Sequence, residues 1–308
     1  MIDAVVPIIL LIGLGVVVAW RRLLSSEGVR HVSDLTFQVF IPTLLFYAMA
    51  RTEFDQVRWS IALAYFVPTV AMYLGYQAWL RARGASWPES IVRSMGISYP
   101  NSVMLTIPVV TVAFGQDGMR DMVPVLMLNS LILLAGPSVL IETVTNRGGR
   151  DLRSRIMLPL RRAVLHPFVL ALVAGMVWSG SGLMLPAQVD HVLQIISGAA
   201  SPLCLIVLGA SLAQQFEPAM VPASLGETLL KLVLHPALVW ATGFFVIGLP
   251  PLALAVVTLI AATATGANTV LFAHRYQAAI GQISAVAASS TALGLLSLPV
   301  VMWLVRPG

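Results

Sequence analysis

Two short polar segments interrupt long apolar runs, one in each half of this 308-residue sequence. They contain Pro100, Asn101, Ser102, Gly266, Asn268 and Thr269. Proline removes a backbone donor and glycine loosens the backbone, so a helix should open at each segment. A helix that restarts after such an opening presents free N–H groups and a positive dipole end, which suits an anion. The helix that ends there presents free carbonyls, which could equally hold a small cation.

Other polar side chains are candidate ligands at the same depth. They are Asn129 and Ser130, together with Ser289, Ser290 and Thr291. For any single Ser or Thr, hydrogen bonding between helices is an alternative role. Zinc-protease, nucleophile-elbow and phosphate-loop motifs are missing, so we expect neither an enzyme nor a cofactor. The single cysteine, Cys204, excludes an internal disulfide or a thiolate metal cluster, and we predict no metal site.

Composition predicts an all-α integral membrane protein. The sequence is 58% apolar and 10% charged, with a mean hydropathy of +0.89, whereas soluble domains carry roughly 25% charged residues. The net charge of +5 does not indicate nucleic-acid binding, because the basic residues lie in the gaps between apolar runs. We predict ten transmembrane helices, at 4–20, 32–50, 59–80, 89–114, 121–143, 163–179, 189–213, 226–248, 251–273 and 282–304.

The basic residues predict the orientation. One side receives Arg21, Arg22, Arg30, Arg81, Arg83, Arg147, Arg150, Arg153, Arg155, Arg161, Arg162 and Arg275. The other side receives only Arg51, Arg58, Arg120 and Arg306. The positive-inside rule therefore places both termini outside the cell, and the basic stretch 145–162 inside.

Ionisable residues are predicted to avoid the membrane centre. Those within or beside spans fall near predicted span ends, namely Asp34, Glu89, Arg93, Glu142, Asp190, Glu227 and Lys231. A carboxylate-based sodium site or a central proton relay is therefore not supported. His166 and His235 each precede a proline, and we expect both to be neutral, hydrogen-bonded imidazoles.

Proline positions indicate an internal repeat. The matched pairs are Pro7 with Pro167, Pro42 with Pro202, Pro68 with Pro236, and Pro137 with Pro299. The segments after Pro100 and after Gly266 match in the same order. We therefore predict two five-helix repeats, 1–150 and 163–308, joined by a basic linker at 151–162. Since each repeat has an odd number of spans, the second must be inverted, which is typical of secondary transporters.

The residues at 100–110, 200–212, 266–275 and 289–299 resemble the auxin efflux carrier family, and the likeness covers essentially the whole chain. The resemblance implies the fold of bile acid–sodium symporters. Spans 1, 2, 6 and 7 would form a scaffold, and spans 3–5 and 8–10 a moving transport domain. It also implies organic-anion substrates, a possible homodimer and, given the short central loop, a bacterial inner membrane. The family's proline in the ninth span is Ala267 here, so we expect Gly266 to supply the flexibility.

The leading hypothesis is a secondary carrier of a small organic anion, a carboxylate, that works by elevator-type alternating access. Asn101, Ser102, Asn268 and Thr269 would bind the anion. One alternative is a sodium-coupled symporter of the bile-acid type, because carbonyl, Asn and Thr oxygens can bind Na⁺ without carboxylates. The other is a membrane sensor or subunit that moves nothing and docks a partner on 145–162. The coupling ion, Na⁺ or H⁺, stays open.

Overall fold

The computed structural model describes residues 2–52, 58–145, 152–215 and 221–306, and these residues are mainly helical with no strand among them. The helices are α1 Ile2–Trp20, α2 Ser26–Leu35, α3 Ile41–Ala50, α4 Ser60–Ala82, α5 Trp87–Ser98, α6 Ile107–Ser130, α7 Gly136–Thr145, α8 Leu152–Val164, α9 Pro167–Gly180, α10 Ala187–Gln215, α11 Val221–Leu229, α12 His235–Ala241, α13 Pro251–Ala262, α14 Ala267–Tyr276 and α15 Ile280–Leu304. Short π-helical segments join several of them.

Membrane-spanning length is reached by six helical runs in the described part of the chain, or seven with the bent pair α8 and α9. Helix α1, from Val6, and α13 are apolar but shorter. The longest run, Ser102–Thr145, has 44 residues, and a straight helix of that length would measure about 66 Å, roughly twice a hydrocarbon core. Gly115 interrupts it with φ 58° and ψ −143°, between two of the predicted spans.

Wider, π-helical turns precede several prolines within the helices. In the described ranges, four π-helical segments have five residues, and each ends two residues before a proline. They are Thr36–Phe40, Ser102–Thr106, Leu131–Ala135 and Leu230–Leu234. The residue just before the proline donates its N–H to the carbonyl five positions back, as Ile41 does to Thr36. Proline has no N–H and its ring displaces the carbonyl of the preceding turn, so that turn opens to a wider one.

Glycines allow two helix pairs to pack closely. A Cβ atom at Gly15 of α1 would lie 2.0 Å from the Ile206 carbonyl oxygen of α10. A Cβ at Gly209 of α10 would lie 2.0 Å from the Ile12 oxygen of α1. Helix α9 approaches α3 in the same way at Gly175, whose Cβ would lie 2.5 Å from the Phe46 oxygen. These approaches pair α1 with α10 and α3 with α9, and the remaining long helices pack around α13.

Part of the predicted basic linker is helical. Residues 152–164 form α8, which carries Arg161 and Arg162 in its last turn, so the segment 151–162 is largely a helix rather than an open connection. Arg147 and Arg150 lie outside the described residues.

Two charged residues that we predicted near span ends are buried instead. Their helical run begins at Val221, five residues earlier than the predicted span, so Glu227 and Lys231 lie well inside it. Glu227 accepts hydrogen bonds from Arg93 Nε (2.8 Å) and from the Tyr76 hydroxyl (2.8 Å). The prediction that Glu227 and Lys231 lie near a span end was therefore wrong, because it depended on where that helix starts.

The α1–α10 contact should be sensitive to one methyl group. Gly209→Ala should lower the melting temperature of the purified protein, since overpacking costs about 1–3 kcal/mol. Gly198→Ala in the same helix is the matched control, because a Cβ there meets nothing within 4 Å. Equal melting temperatures for the two variants would contradict the close approach.

Candidate functional site

The two polar segments cross and bond to each other through their backbones. Helix α5 ends at Ser98 and α13 ends at Ala262, and each chain runs on non-helically before helix resumes. The Asn101 N–H donates to the Ala264 carbonyl (2.8 Å), and the Gly266 N–H donates to the Tyr99 carbonyl (3.1 Å). Pro100 and Thr265 thereby form a single antiparallel bridge. The bridge satisfies backbone groups that the breaks remove from the helices, which buried backbone requires.

Threonine and serine side chains complete the crossing. The Thr265 hydroxyl donates to the Gly96 carbonyl near the end of α5 (2.6 Å), and the Thr265 N–H donates to Ser290 Oγ (3.0 Å). The Thr106 hydroxyl donates to Thr263 Oγ1 (3.0 Å). These side chains are buried, so they fix the position of the breaks relative to α5 and α15.

Gly266 contributes space rather than flexibility. Its backbone has φ −71° and ψ 143°, an extended conformation that any residue adopts. A Cβ there would lie 2.7 Å from the Pro100 oxygen and 2.8 Å from Tyr99 Cδ1. Our expectation that Gly266 supplies flexibility was therefore wrong. Glycine is needed because the other segment passes too close for a side chain.

A cavity of about 390 Å³ lies against the crossing. One wall comes from the breaks and from α6. The facing wall comes from α3, α9 and the π-helical segment after α2, and it is apolar at Leu45 and Phe168 and polar at Gln38 and His166. The lining residues that we predicted as site residues are Pro100, Asn101, Ser102, Asn129, Ser130, Gly266 and Asn268. Thus seven of these positions, far apart in sequence, surround one space of the size usual for a small-molecule site.

The wall formed by the breaks and α6 offers hydrogen-bonding capacity. Asn101 Oδ1 accepts from the Met104 N–H (3.3 Å), and Asn268 Nδ2 donates to the Tyr99 hydroxyl (3.0 Å). Ser102 Oγ and Asn129 Oδ1 are buried without a hydrogen-bond partner among the described residues. Unsatisfied buried polar atoms are rare and need a reason, and a bound ligand would provide one.

Two helix N-termini meet at the same wall. The helical turn at Ser102–Thr106 and helix α14 both begin beside the cavity, which Ser102, Val103, Ala267 and Asn268 line. The first N–H groups of a helix have no acceptor within it, and they carry its positive partial charge. No lysine or arginine lines this cavity in the described part of the chain. Attraction for an anion would therefore come from dipoles and amides.

Three predicted ligands do not line the cavity. The Thr269 hydroxyl donates to the Gly266 carbonyl (2.7 Å), and the Thr291 hydroxyl donates to the Ala287 carbonyl (2.7 Å). Ser290 Oγ accepts a hydrogen bond from the Thr265 N–H. Ser289, the further candidate, is hydrogen-bonded to Ser224 (Oγ to Oγ, 2.8 Å). Thr269 and Ser290 therefore hold backbone groups of the break, whereas Thr291 bonds within α15 and Ser289 connects α15 to α11.

Other lining residues were not predicted. Tyr99, which precedes Pro100, places its hydroxyl against Asn268. His166 caps α9, with its Nδ1 accepting from the Phe168 N–H (3.4 Å), and Asp34 and Gln38 lie at the exposed edge. The proline that follows Tyr99 and the one that follows His166 are the sequence signals that could have indicated them.

A second cluster of buried polar side chains lies beside the C-terminal end of α13, where that helix presents free carbonyl groups. Lys231 Nζ donates to the Ala261 carbonyl (2.9 Å) and lies 3.1 Å from His235 Nδ1. His235 Nε2 lies 2.8 Å from the Thr69 hydroxyl. His235 is therefore hydrogen-bonded as predicted, but its partner is a lysine that sequence reasoning placed near a span end.

Comparison with known proteins identifies the class of molecule. A family model described as "Membrane transport protein" matches residues 1–302. The chain belongs to this family. The match confirms the resemblance to the auxin efflux carriers, and it makes the chain a membrane transporter with several membrane-spanning helices.

Two curated relatives match along almost their whole lengths. A protein of Methanothermobacter thermautotrophicus, described as an uncharacterized transporter, is 26% identical over 96% of this chain and 96% of its own. A protein of Rhizobium meliloti, described as a putative malonate transporter, is 24% identical over 99% of this chain and 95% of its own.

We expect a side chain at position 266 to push the two non-helical segments apart and so to weaken the hydrogen bonds between them. Gly266→Ala should lower the protection of the backbone N–H groups at positions 101 and 266 against hydrogen exchange by about fivefold or more. The reason is that each lost hydrogen bond is worth about 1 kcal/mol. Peptide-resolved exchange in detergent measures this directly. Gly281→Ala is the control, because a Cβ there meets nothing within 4 Å. Unchanged protection in Gly266→Ala would show that the two segments do not touch.

Proposed function

We propose that this protein is a secondary carrier of a small organic anion, a carboxylate, and that it binds the anion in the cavity beside the crossing. One observation carries the proposal. Two helix N-termini, with Asn101, Ser102 and Asn268, line the same space, and the Ser102 hydroxyl, which can donate a hydrogen bond, has no partner among the described residues. Broken helices with their N-terminal ends directed at an anionic substrate are the usual substrate site of secondary transporters.

The substrate class follows from the chemistry of the wall. Backbone N–H groups and amide side chains donate hydrogen bonds to carboxylate oxygens, and the apolar side of the cavity accepts a short carbon chain. The Rhizobium meliloti relative is described as a putative malonate transporter. Malonate is accordingly the first probe for this chain.

We further propose ten spans in two inverted repeats, with the domains described from the sequence. The antiparallel bridge between the segments supports this proposal, since inversion would bring the two breaks together in opposite directions. The packing of α1 on α10 and of α3 on α9 supports a scaffold of spans 1, 2, 6 and 7. Spans 3–5 and 8–10 would then be the transport domain that carries the crossing.

An elevator movement fits the two walls of the cavity. The transport-domain wall holds the polar ligands, whereas Leu45 and Phe168 on the scaffold side are apolar. A polar site that slides along an apolar wall keeps its ligand contacts during the movement. Asp34 and Gln38 lie at the exposed edge, near the start of the predicted second span at 32–50, which the basic residues place toward the cytoplasm. We therefore assign this conformation to the inward-facing state.

The proposed ligands can be tested separately in proteoliposomes that contain purified protein. Asn101→Ala and Asn268→Ala should each weaken malonate uptake about ten- to hundredfold, because a hydrogen bond to a charged group is worth about 1.5–3 kcal/mol. Thr43→Val is the matched control, since the one partner of that hydroxyl among the described residues is the Val39 carbonyl, one turn earlier in the same helical run (2.7 Å). Uptake of radiolabelled malonate is the readout.

The outcomes separate the hypotheses. Normal uptake by both asparagine variants would remove the site assignment. Stabilisation of the wild-type protein by malonate without uptake under any gradient would favour a sensor rather than a carrier, because ligand binding alone raises apparent stability.

A further inference from the structure

Lysine occurs once in this sequence, at position 231, among eighteen basic residues of which the other seventeen are arginines. The two side chains differ in a way that matters for a buried site. Arginine stays charged in proteins, whereas a buried lysine can release its proton. The chain therefore places its one lysine at a position where the side chain is 0% exposed.

Hydrogen-bond geometry fixes the protonation pattern around Lys231. The Thr69 hydroxyl donates its single hydrogen to the Tyr65 carbonyl, so its oxygen must accept from His235 Nε2. Nε2 then carries the imidazole hydrogen, and Nδ1 of the neutral ring accepts from Lys231 Nζ (3.1 Å). All donors in this series point away from Lys231, which is the arrangement that an ammonium group requires.

No carboxylate within the described part of the chain balances this ammonium. The helices packed against the segment of Lys231 are α5, α11, α12, α13 and α15. Their titratable side chains are Glu89 and Arg93 on α5, Glu227 on α11 and His235 on α12, whereas α13 and α15 carry none. Glu227 is bonded to Arg93, and no ion pair to Lys231 within 4.0 Å exists among the described residues. The strongest partner is the Ala261 carbonyl, one residue before the end of α13. A helix C-terminus carries partial negative charge, which stabilises a cation.

Carriers with broken helices hold their coupling Na⁺ or H⁺ at carbonyl ends of this kind. We infer that Lys231 is the cation site of this carrier: its ammonium occupies the place where a free sodium ion would bind, and the proton it takes up and releases is the coupling ion. In each cycle one N–H bond of the ammonium breaks, the electron pair stays on Nζ, and the proton passes to water. The inference deepens the proposed function and rests on it.

The physical link between proton and anion is short. Ala261 precedes the break at 263–266, and α14, whose N-terminus lines the anion cavity, follows it. When Lys231 loses its proton, its hydrogen bond to the Ala261 carbonyl is no longer charge-assisted. The end of α13 is then held less firmly, and so is the non-helical segment 263–266 that follows it. Proton release and anion release are therefore coupled through the same few residues.

Transport assays test the assignment. Uptake of radiolabelled malonate by the wild type should be stimulated by a pH gradient and unchanged when K⁺ replaces Na⁺. Lys231→Arg keeps the charge but cannot release it, and Lys231→Gln has none, so both should lose the stimulation by the pH gradient. Stimulation by Na⁺ in the wild type, or by pH in both variants, would overturn the inference.

A second measurement needs no substrate. Because the chain has one lysine, protein labelled with carbon-13 at the lysine ε-carbon gives one side-chain resonance, and Lys231→Gln identifies it by its loss. In a protein whose tag lacks lysine, this resonance should move between its ammonium and amine positions within the pH range where the protein stays folded. A resonance that stays at the ammonium position would make Lys231 a fixed structural charge and overturn the inference. If malonate is not transported but the resonance titrates, the error lies in the proposed substrate and not in Lys231.

Discussion

The structure depends on two backbone hydrogen bonds, from Asn101 to Ala264 and from Gly266 to Tyr99. Non-helical backbone inside a membrane protein is tolerated only where its polar groups find partners or line a cavity. Here each break supplies the other's partners, so neither helix can open alone. The absence of a side chain at Gly266 permits the approach, and the hydroxyl groups of Thr265 and Thr106 hold the remaining ends.

This arrangement creates two sites of opposite polarity from one structural element. The helix starts on one side of the crossing carry partial positive charge and line a cavity with amide side chains. The end of α13 carries partial negative charge and holds the buried ammonium of Lys231. An anion and a cation can thus be bound a few residues apart in sequence, by helix ends rather than by a pair of fixed opposite charges. Movement of the short segment 263–266 would affect both.

The sequence predicted some of these features and missed others for physical reasons. Proline and polar residues within long apolar runs correctly indicated both breaks, because such residues cannot continue a helix without cost. We expected Gly266 to provide conformational freedom. Its φ is ordinary, however, and glycine is needed there because the fold brings the other segment into close contact. Ser290 and Thr291 carry the right atoms, but their partners are backbone groups on neighbouring turns and segments. Lys231 was missed because its depth depends on the helix start at Val221, and helix boundaries are the least predictable feature of a sequence.

The central claim is that a carboxylate binds at the crossing, and protection of a cysteine tests it most directly. Cys204 is the only cysteine, so Cys204→Ala gives a background in which Ser102→Cys reports on the cavity and Ser181→Cys on an exposed helix end. Saturating malonate should slow modification of Ser102→Cys by a thiol reagent and leave Ser181→Cys unaffected. Malonate that raises the melting temperature of the protein while Ser102→Cys reacts at an unchanged rate would contradict the account.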